Sequence, residues 1–417
     1  MRVCRTVCAA LLLLLPVPLH FAQQTDEGRP KLKDFGSSLK KLSWDPHKQS
    51  AIESSDPVTR QTRAEDDVVR VQTDLVVLDV QVRDRSGRVV TGLTENDFLV
   101  DEDGGRQTIA HFSLGSDSTV PRSIVLILDH SGSLLRYMDR SIDAAKVLVD
   151  KLGPKDRMAI VTDDVELVMD FTGDRKKLKT RLESLRHKTK NYKLGRSFQM
   201  TALMATVREL FDAEDIRPIV IFQTDGDEVG LLQPADPQYY FLPEVPENAP
   251  AAVKTRFENV SRRVKKDMAA QIKPFSLADV YKAIEKSRAT VYTVIPGQEL
   301  LSRSAEDQMA IVKSTLLPWY SDEQIRRIAR YELRAQKAAA GAAIVSGGWT
   351  AFLTKPEAAA DIYSTILSDI NSRYVIGYYP ANKIRDGRRR SVSVEVRGHP
   401  EYVLLGRRSF YAPEPEQ

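Results

Sequence analysis

Hydrophobic and polar positions change period twice along this chain. Val76, Leu78, Val80 and Val82 alternate with Val77, Asp79, Gln81 and Arg83, the period of a strand with one buried face. Ser86-Gly87 and Asp103-Gly104-Gly105 are turn signals, and Phe98-Leu99-Val100 and Thr108-Ile109-Ala110 are short apolar stretches beside them. This first region therefore predicts several short antiparallel strands. From 122 the pattern becomes an alternation of continuous apolar runs and helical stripes. Ile124–Leu128, Met158–Val161, Val165–Met169, Ile219–Phe222 and Val291–Ile295 read as strands. Ile142, Ala145, Val149 and Leu152 recur at helical spacing, as do Leu178, Leu182 and Leu185, and then Leu203, Val207, Leu210 and Phe211. Ser276 with Asp279, and Thr354 with Glu357 ahead of Ile362, Ile366 and Ile370, have the form of capping pairs. Near the end, Val392, Val394 and Val396 alternate with Ser393, Glu395 and Arg397 after an Asp386-Gly387 turn signal.

Repeated strand–helix units imply an α/β fold with a doubly wound, mostly parallel sheet. Each flank has too few residues to bury a core alone. The two flanks are expected to pair into one small β-sandwich into which the α/β domain is inserted. The boundaries that follow are an N-terminal β-segment at 66–118, the α/β domain at 119–371, a C-terminal β-segment at 372–412 and a tail at 413–417. Residues 229–275 read as an insertion. Its first part is rich in Pro and aromatics, including Tyr239, Tyr240 and Phe241. Its second part sets Val253, Phe257, Val260, Val264 and Met268 at helical spacing, with Lys254, Arg262, Arg263, Lys265 and Lys266 on the other face.

The beginning of the chain changes the picture of where it works. Arg2 and Arg5 precede an apolar run from Val7 to Leu15, broken by Pro16 and Pro18, with Ala22 as a small residue for cleavage. That is the layout of a secretory signal peptide at 1–22, and the run is too short to span a bilayer. Residues 23–65 are polar without a sustained apolar period and read as a flexible leader. The only cysteines, Cys4 and Cys8, lie inside the leading segment, so the mature chain is expected to hold no disulfide. The expected location is periplasmic or secreted. Among 417 residues, 61 are Lys or Arg and 57 are Asp or Glu. An excess that small predicts no nucleic-acid partner.

The candidate chemistry sits at Asp129-His130-Ser131-Gly132-Ser133, directly after the Ile124–Leu128 strand. In a doubly wound sheet, ligands bind outside the carboxyl ends of the strands. One carboxylate and two hydroxyls are hard oxygen donors, suited to Mg²⁺, Mn²⁺ or Ca²⁺ rather than zinc. Asp225, in Thr224-Asp225-Gly226-Asp227, follows the strand Ile219–Phe222, and Thr201 opens the helix before that strand. The set Asp129, Ser131, Ser133, Thr201 and Asp225 resembles the metal-ion-dependent adhesion site of the von Willebrand factor type A family, whose motif is D-x-S-x-S with a distant Thr and Asp. The resemblance covers roughly residues 120–370. Val89–Asp103 and Tyr374–Tyr378 resemble the leading and trailing β-segments of a secreted bacterial, acidobacterial-type subfamily. Gln199-Met200 departs from the family, standing where glycines often precede the Thr.

The resemblance implies a non-enzymatic interaction module. The two serines would ligate the metal directly, Thr201 directly or through water, and the two aspartates mostly through water. An open coordination position would then take a carboxylate from an acidic protein partner. Two other readings stay open: a periplasmic hydrolase or phosphotransferase on a similar sheet, and a structural envelope protein whose metal site is vacant. Against the former, the chain has Ser131 where an aspartyl phosphatase would want a second Asp. It also has no Gly-x-Ser-x-Gly elbow, no phosphate loop and no His-Glu-x-x-His. Ser131 and Ser133 could alternatively cap the next helix. His130 is expected to be exposed, Asp163-Asp164 to be a turn between edge strands, Asp227 and Glu228 to be solvated loop acids, and Arg388-Arg389-Arg390 to be a solvated hairpin.

Overall fold

A computed structural model describes residues 34–45, 47–48, 50–53, 75–117, 120–188, 197–212, 217–228, 231, 250–252, 254–255, 258–259, 262, 274–316, 318 and 320–415. The leading apolar run, the aromatic arm at 239–241, the stripe from Val253 to Met268, and Arg263, Lys265 and Lys266 lie outside the described residues.

Within the stretch read as a flexible leader, the described residues between 34 and 53 are instead ordered against the α/β domain. A 3-10 turn at Ser37–Lys41 leads into the antiparallel pair β1 (Leu42–Asp45) and β2 (Ser50–Glu53). Leu39 and Leu42 join the core of the α/β domain. Glu209 accepts hydrogen bonds from the Gly36 amide at 2.7 Å and the Ser38 amide at 2.9 Å. Two leucines in an otherwise polar stretch carry no period, which is why the sequence pattern hides this segment.

The strands then fall into three sheets. The first flank supplies β3 (Val76–Arg83), β4 (Phe98–Glu102), β5 (Gly105–Gln107) and β6 (Ile109–Leu114). The α/β domain runs through β7 (Arg122–Leu128), α1 (Leu135–Asp150), β8 (Arg157–Thr162), β9 (Glu166–Thr172), α2 (Arg175–Lys188), α3 (Gln199–Glu209) and β10 (Arg217–Gln223). It continues with α4 (Leu277–Ser287), β11 (Thr290–Pro296), α5 (Ala305–Thr315), α6 (Asp322–Ser346), β12 (Thr350–Leu353) and α7 (Ala359–Ser372). The second flank supplies β13 (Tyr374–Tyr378), β14 (Arg389–Val396), β15 (Val403–Leu405) and β16 (Ser409–Tyr411).

The central sheet has the order β12-β11-β10-β7-β8-β9. All its pairings are parallel except that of β8 with β9. One face is covered by α1, α2 and α7 through Ile142, Leu182 and Tyr363. The other is covered by α3, α4 and α6 through Leu203, Ile284 and Ala339. The chain leaves β7 toward β8 on one side and later returns to β10 on the other. The order therefore reverses between β7 and β10, and that switch point opens a crevice at their carboxyl ends.

The flanking strands interleave as expected. Two four-stranded sheets, β15-β3-β13-β6 and β16-β14-β4-β5, each take strands from both flanks. They enclose a shared core that includes Leu78, Val80, Phe98, Val100, Ile376 and Val392. Three details differ from expectation. The polar face of β3 does not meet solvent: Gln81 is buried, and Asp79 pairs with the buried Arg217 at 3.0 Å. Thr354 and Glu357 form no cap, since a 3-10 turn at Pro356–Ala358 precedes α7 without any side-chain cap bond. In the 388–390 run, Arg390 is buried and bonded to Glu102 at 3.0 Å, whereas Arg388 and Arg389 are exposed, Arg389 in an ion pair with Glu285. Helices α5 and α6 carry no individual sequence prediction. Their signals were available: Ser321 and Gln324 form a capping box, and α6 buries an alanine face that periodicity in large side chains does not register.

Candidate metal centre

The crevice is built from three strand ends. Strand β7 is buried along its whole length and stops at Asp129, itself fully buried. The Asp129 amide donates to the Gln223 carbonyl at 3.1 Å, which ties the β7 exit to the end of β10. Its carboxylate Oδ1 accepts from the Ser131 amide at 2.9 Å, an Asx-type turn that folds the chain back over the strand end. A 3-10 turn at Gly132–Leu134 follows before α1. Ser131 makes no side-chain cap bond, so helix capping does not account for the hydroxyls. Instead the Ser131 and Ser133 hydroxyls lie 3.0 Å apart, and Ser133 Oγ donates to Asp225 Oδ2 at 2.6 Å.

Asp225 is held from behind by Gln199. The Gln199 amide nitrogen donates to Asp225 Oδ1 at 2.7 Å, and its carbonyl oxygen accepts from the Thr224 hydroxyl and from the Gly226 amide at 3.0 Å. The residue that departs from the family pattern thus braces the acidic loop. Gly226 is required in that loop. Its φ is +79°, and an added Cβ would sit 2.3 Å from the Ala335 carbonyl on α6.

Four of the five candidate residues, Asp129, Ser131, Ser133 and Asp225, therefore meet at the switch point. Thr201 lies in the third position of α3 rather than at its start. Its hydroxyl and its amide both donate to Glu228, the amide at 2.9 Å. Glu228 is fully buried, and Asp227 is half-buried and receives the Tyr331 hydroxyl. This corrects the expectation that both are solvated. His130 is not exposed either: its ring pairs with Asp163 and its amide donates to Asp163 Oδ1 at 3.0 Å. Residues 163–165 do form the β8–β9 turn, but Asp163 is buried beside Asp129 rather than solvated. Sequence patterns mark the acids after β7 and β10; they do not reveal that Gln199, His130, Asp163 and Glu228 fold over them.

The electrostatics of this corner are one-sided. Burial pushes the Asp129 carboxyl well above its ordinary range, and the neighbouring Asp225 and Asp163 push it further. Asp227 is pushed up to about 7, again by burial first and Asp225 second. Asp129 Oδ2 is buried without a hydrogen-bond partner. Among the described residues no Lys or Arg pairs with Asp129 or Asp225. A hard-oxygen set with an orphaned, buried carboxylate oxygen fits a divalent cation.

The family model of the von Willebrand factor type A domain matches residues 124–228, from the first central strand to the acidic loop. No curated protein matches the sequence. Among solved structures, the chain is similar to an aerotolerance-related membrane protein from Bacteroides fragilis NCTC 9343, at 14% identity over 60% of this chain and 98% of that one, with a TM-score of 0.34. It is similar to the vWF domain of the type V pili tip protein Mfa5 from Porphyromonas gingivalis, at 14% identity over 60% of this chain and 95% of that one, with a TM-score of 0.34. It is also similar to proximal thread matrix protein 1 from the mussel byssus with a zinc-occupied MIDAS motif, at 14% identity over 52% of this chain and 48% of that one, with a TM-score of 0.23.

Proposed function

We propose that this chain, which carries a von Willebrand factor type A domain, is a protein-interaction module that holds a divalent cation, Mg²⁺, Mn²⁺ or Ca²⁺, at Asp129, Ser131, Ser133 and Asp225. Thr201 is the fifth oxygen that the family resemblance assigns. The observation that carries the reading is the convergence of two carboxylates and two hydroxyls at the β7/β10 switch point, with Asp129 Oδ2 left without a partner. A bound cation would supply an open coordination position for a carboxylate from an acidic partner. The chain's own residues do the rest. Asp129 fixes the turn through the Ser131 amide, so both hydroxyls face one point. Gln199 orients Asp225. Glu228 fixes Thr201 through its amide and hydroxyl. The leading Arg-flanked apolar run supports a place outside the cytoplasm, and among the described residues no helix is long and apolar enough to cross a membrane. Carboxylate recognition is binding rather than turnover, and in this reading the chain is not an enzyme.

The test is capture of the full chain on an immobilised peptide with a single Asp, beside the same peptide with Asn. With Mg²⁺ the Asp surface should retain the protein and the Asn surface should not. Chelator, Asp225→Ala or Ser131→Ala should each release it, and Thr201→Val should weaken retention. Equal retention on both surfaces, or retention that ignores chelator, would remove the carboxylate reading.

A further inference from the structure

Strand β14 loses a neighbour half-way along. On one side it pairs with β4 from Val392↔Glu102 to Val396↔Phe98. On the other, β16 covers only Arg389 to Ser391, and the last bond there runs from the Val392 amide to the Arg408 carbonyl at 2.8 Å. Beyond that point no strand among the described residues flanks this edge.

The ladder alternation decides which groups face the gap. Asp103 donates its amide to the Ser391 carbonyl at 3.0 Å, and Arg397 donates its amide to the Asp97 carbonyl at 2.7 Å. Odd-numbered positions of β14 therefore bond toward β4, and even-numbered ones turn their amides and carbonyls the other way. The Val396 carbonyl is taken by the His399 amide at 3.1 Å. The Val394 amide, the Val394 carbonyl and the Val396 amide have no partner among the described residues.

A cleft of about 600 Å³ runs along this edge, within the range of about 300–1,000 Å³ that suits a bound ligand. Its lining includes the apolar Val80, Val394, Tyr402 and Leu404, with the buried Arg407 among them. Its rim carries Arg397 and Arg408, both exposed and without an ion pair among the described residues, with Glu395 between the basic ends. The free run from 393 to 397 is about 16 Å long at roughly 3.3 Å per residue, so it matches four or five residues of an added strand.

We propose that this edge is a β-augmentation site for an extended partner segment whose alternate side chains are apolar toward the cleft and acidic, at both ends, toward the rim. Backbone pairing with Val394 and Val396 supplies the docking, and the inner wall and the two arginines supply the selectivity. The site lies on the sandwich and is independent of the metal centre, so it works in the presence of chelator.

Hydrogen exchange on the full chain in chelator tests this, with the peptide Ser-Glu-Val-Thr-Val-Glu-Ser as probe and its counterpart with Lys in place of both Glu as control. The Val394 and Val396 amides should exchange rapidly in the free chain and at least tenfold more slowly with the Glu peptide, and they should not respond to the Lys peptide. Arg397→Glu combined with Arg408→Glu, both exposed and expected to fold normally, should remove the response to the Glu peptide. Val394→Pro, which deletes an amide outside the β4 ladder, should remove it as well. Slow exchange of the Val394 and Val396 amides in the free chain would mean that another part of this chain or a second copy already covers the edge, and would overturn the proposal. So would an equal response to both peptides, or no response to either.

Discussion

The two ends of the central sheet are opposites in charge. Strands β7, β8 and β10 each begin on an arginine, Arg122, Arg157 and Arg217, and each is followed by an aspartate, Asp129, Asp163 and Asp225. At the amino ends the buried Arg122, Arg217 and Arg373 each have an acidic counterpart, while the buried Arg407 donates to the Glu285 and Ala289 carbonyls. Arg122 donates to Asp156 at 2.9 Å, and Arg217 pairs with Asp79 at 3.0 Å while also donating to the Gly115 and Ile370 carbonyls. Arg373 pairs with Asp369 at 2.7 Å, and Tyr292 donates to the same carboxylate at 2.6 Å. This balanced network fastens the inserted domain to the sandwich. At the carboxyl ends the acids face one another, and the His130 ring pairs with Asp163 beside them. Buried charge without a partner is costly. The contrast teaches which cluster completes itself and which is built to be completed from outside.

Breaking the complete cluster should have the largest effect. Arg373→Met leaves Asp369 buried without its main partner, and should cost about 3–5 kcal/mol of stability in chemical denaturation. A loss below about 1 kcal/mol would show that the seam is not the fastening described here. Gln199→Ala comes next. Removing the group that orients Asp225 should weaken divalent-ion affinity by about 10- to 100-fold with little change in fold, as loss of an outer-shell partner does; unchanged affinity would detach Gln199 from the site. The smallest effect is expected from Asp129→Asn without divalent ions. It relieves acid–acid repulsion and keeps an acceptor for the Ser131 amide, so stability should hold or rise by about 1 kcal/mol. A marked loss there would make the carboxyl end as structural as the amino end.

Much of this contrast was legible in the sequence, and the rest was not for definable reasons. Apolar runs ending on Asp129 and Asp225 placed both acids at one sheet edge, because a buried parallel strand has a recognisable run and its exit has a fixed direction. Alternation in the flanks anticipated two interleaved sheets. What stayed hidden depends on long-range packing. Asp79 and Gln81 look like the solvent face of β3 until Arg217 at the start of β10 and Asp369 on α7 meet them. Glu228 looks like a loop acid until Thr201 reaches it from α3. Residues 34–53 look like leader because their anchors, Leu39 and Glu209, are some 170 positions apart. Polar residues that are buried by a partner distant in sequence leave no local period.

The account rests most heavily on the acids at the carboxyl end binding a cation that the chain itself does not provide. Isothermal titration of Mg²⁺ or Mn²⁺ into the chelator-stripped full chain addresses this directly, with Asp129→Ala and Asp225→Ala beside the parent. A single site in the parent, lost in both variants while their folds persist, is the result expected. Unchanged affinity in both variants, or no binding in the parent, would contradict it.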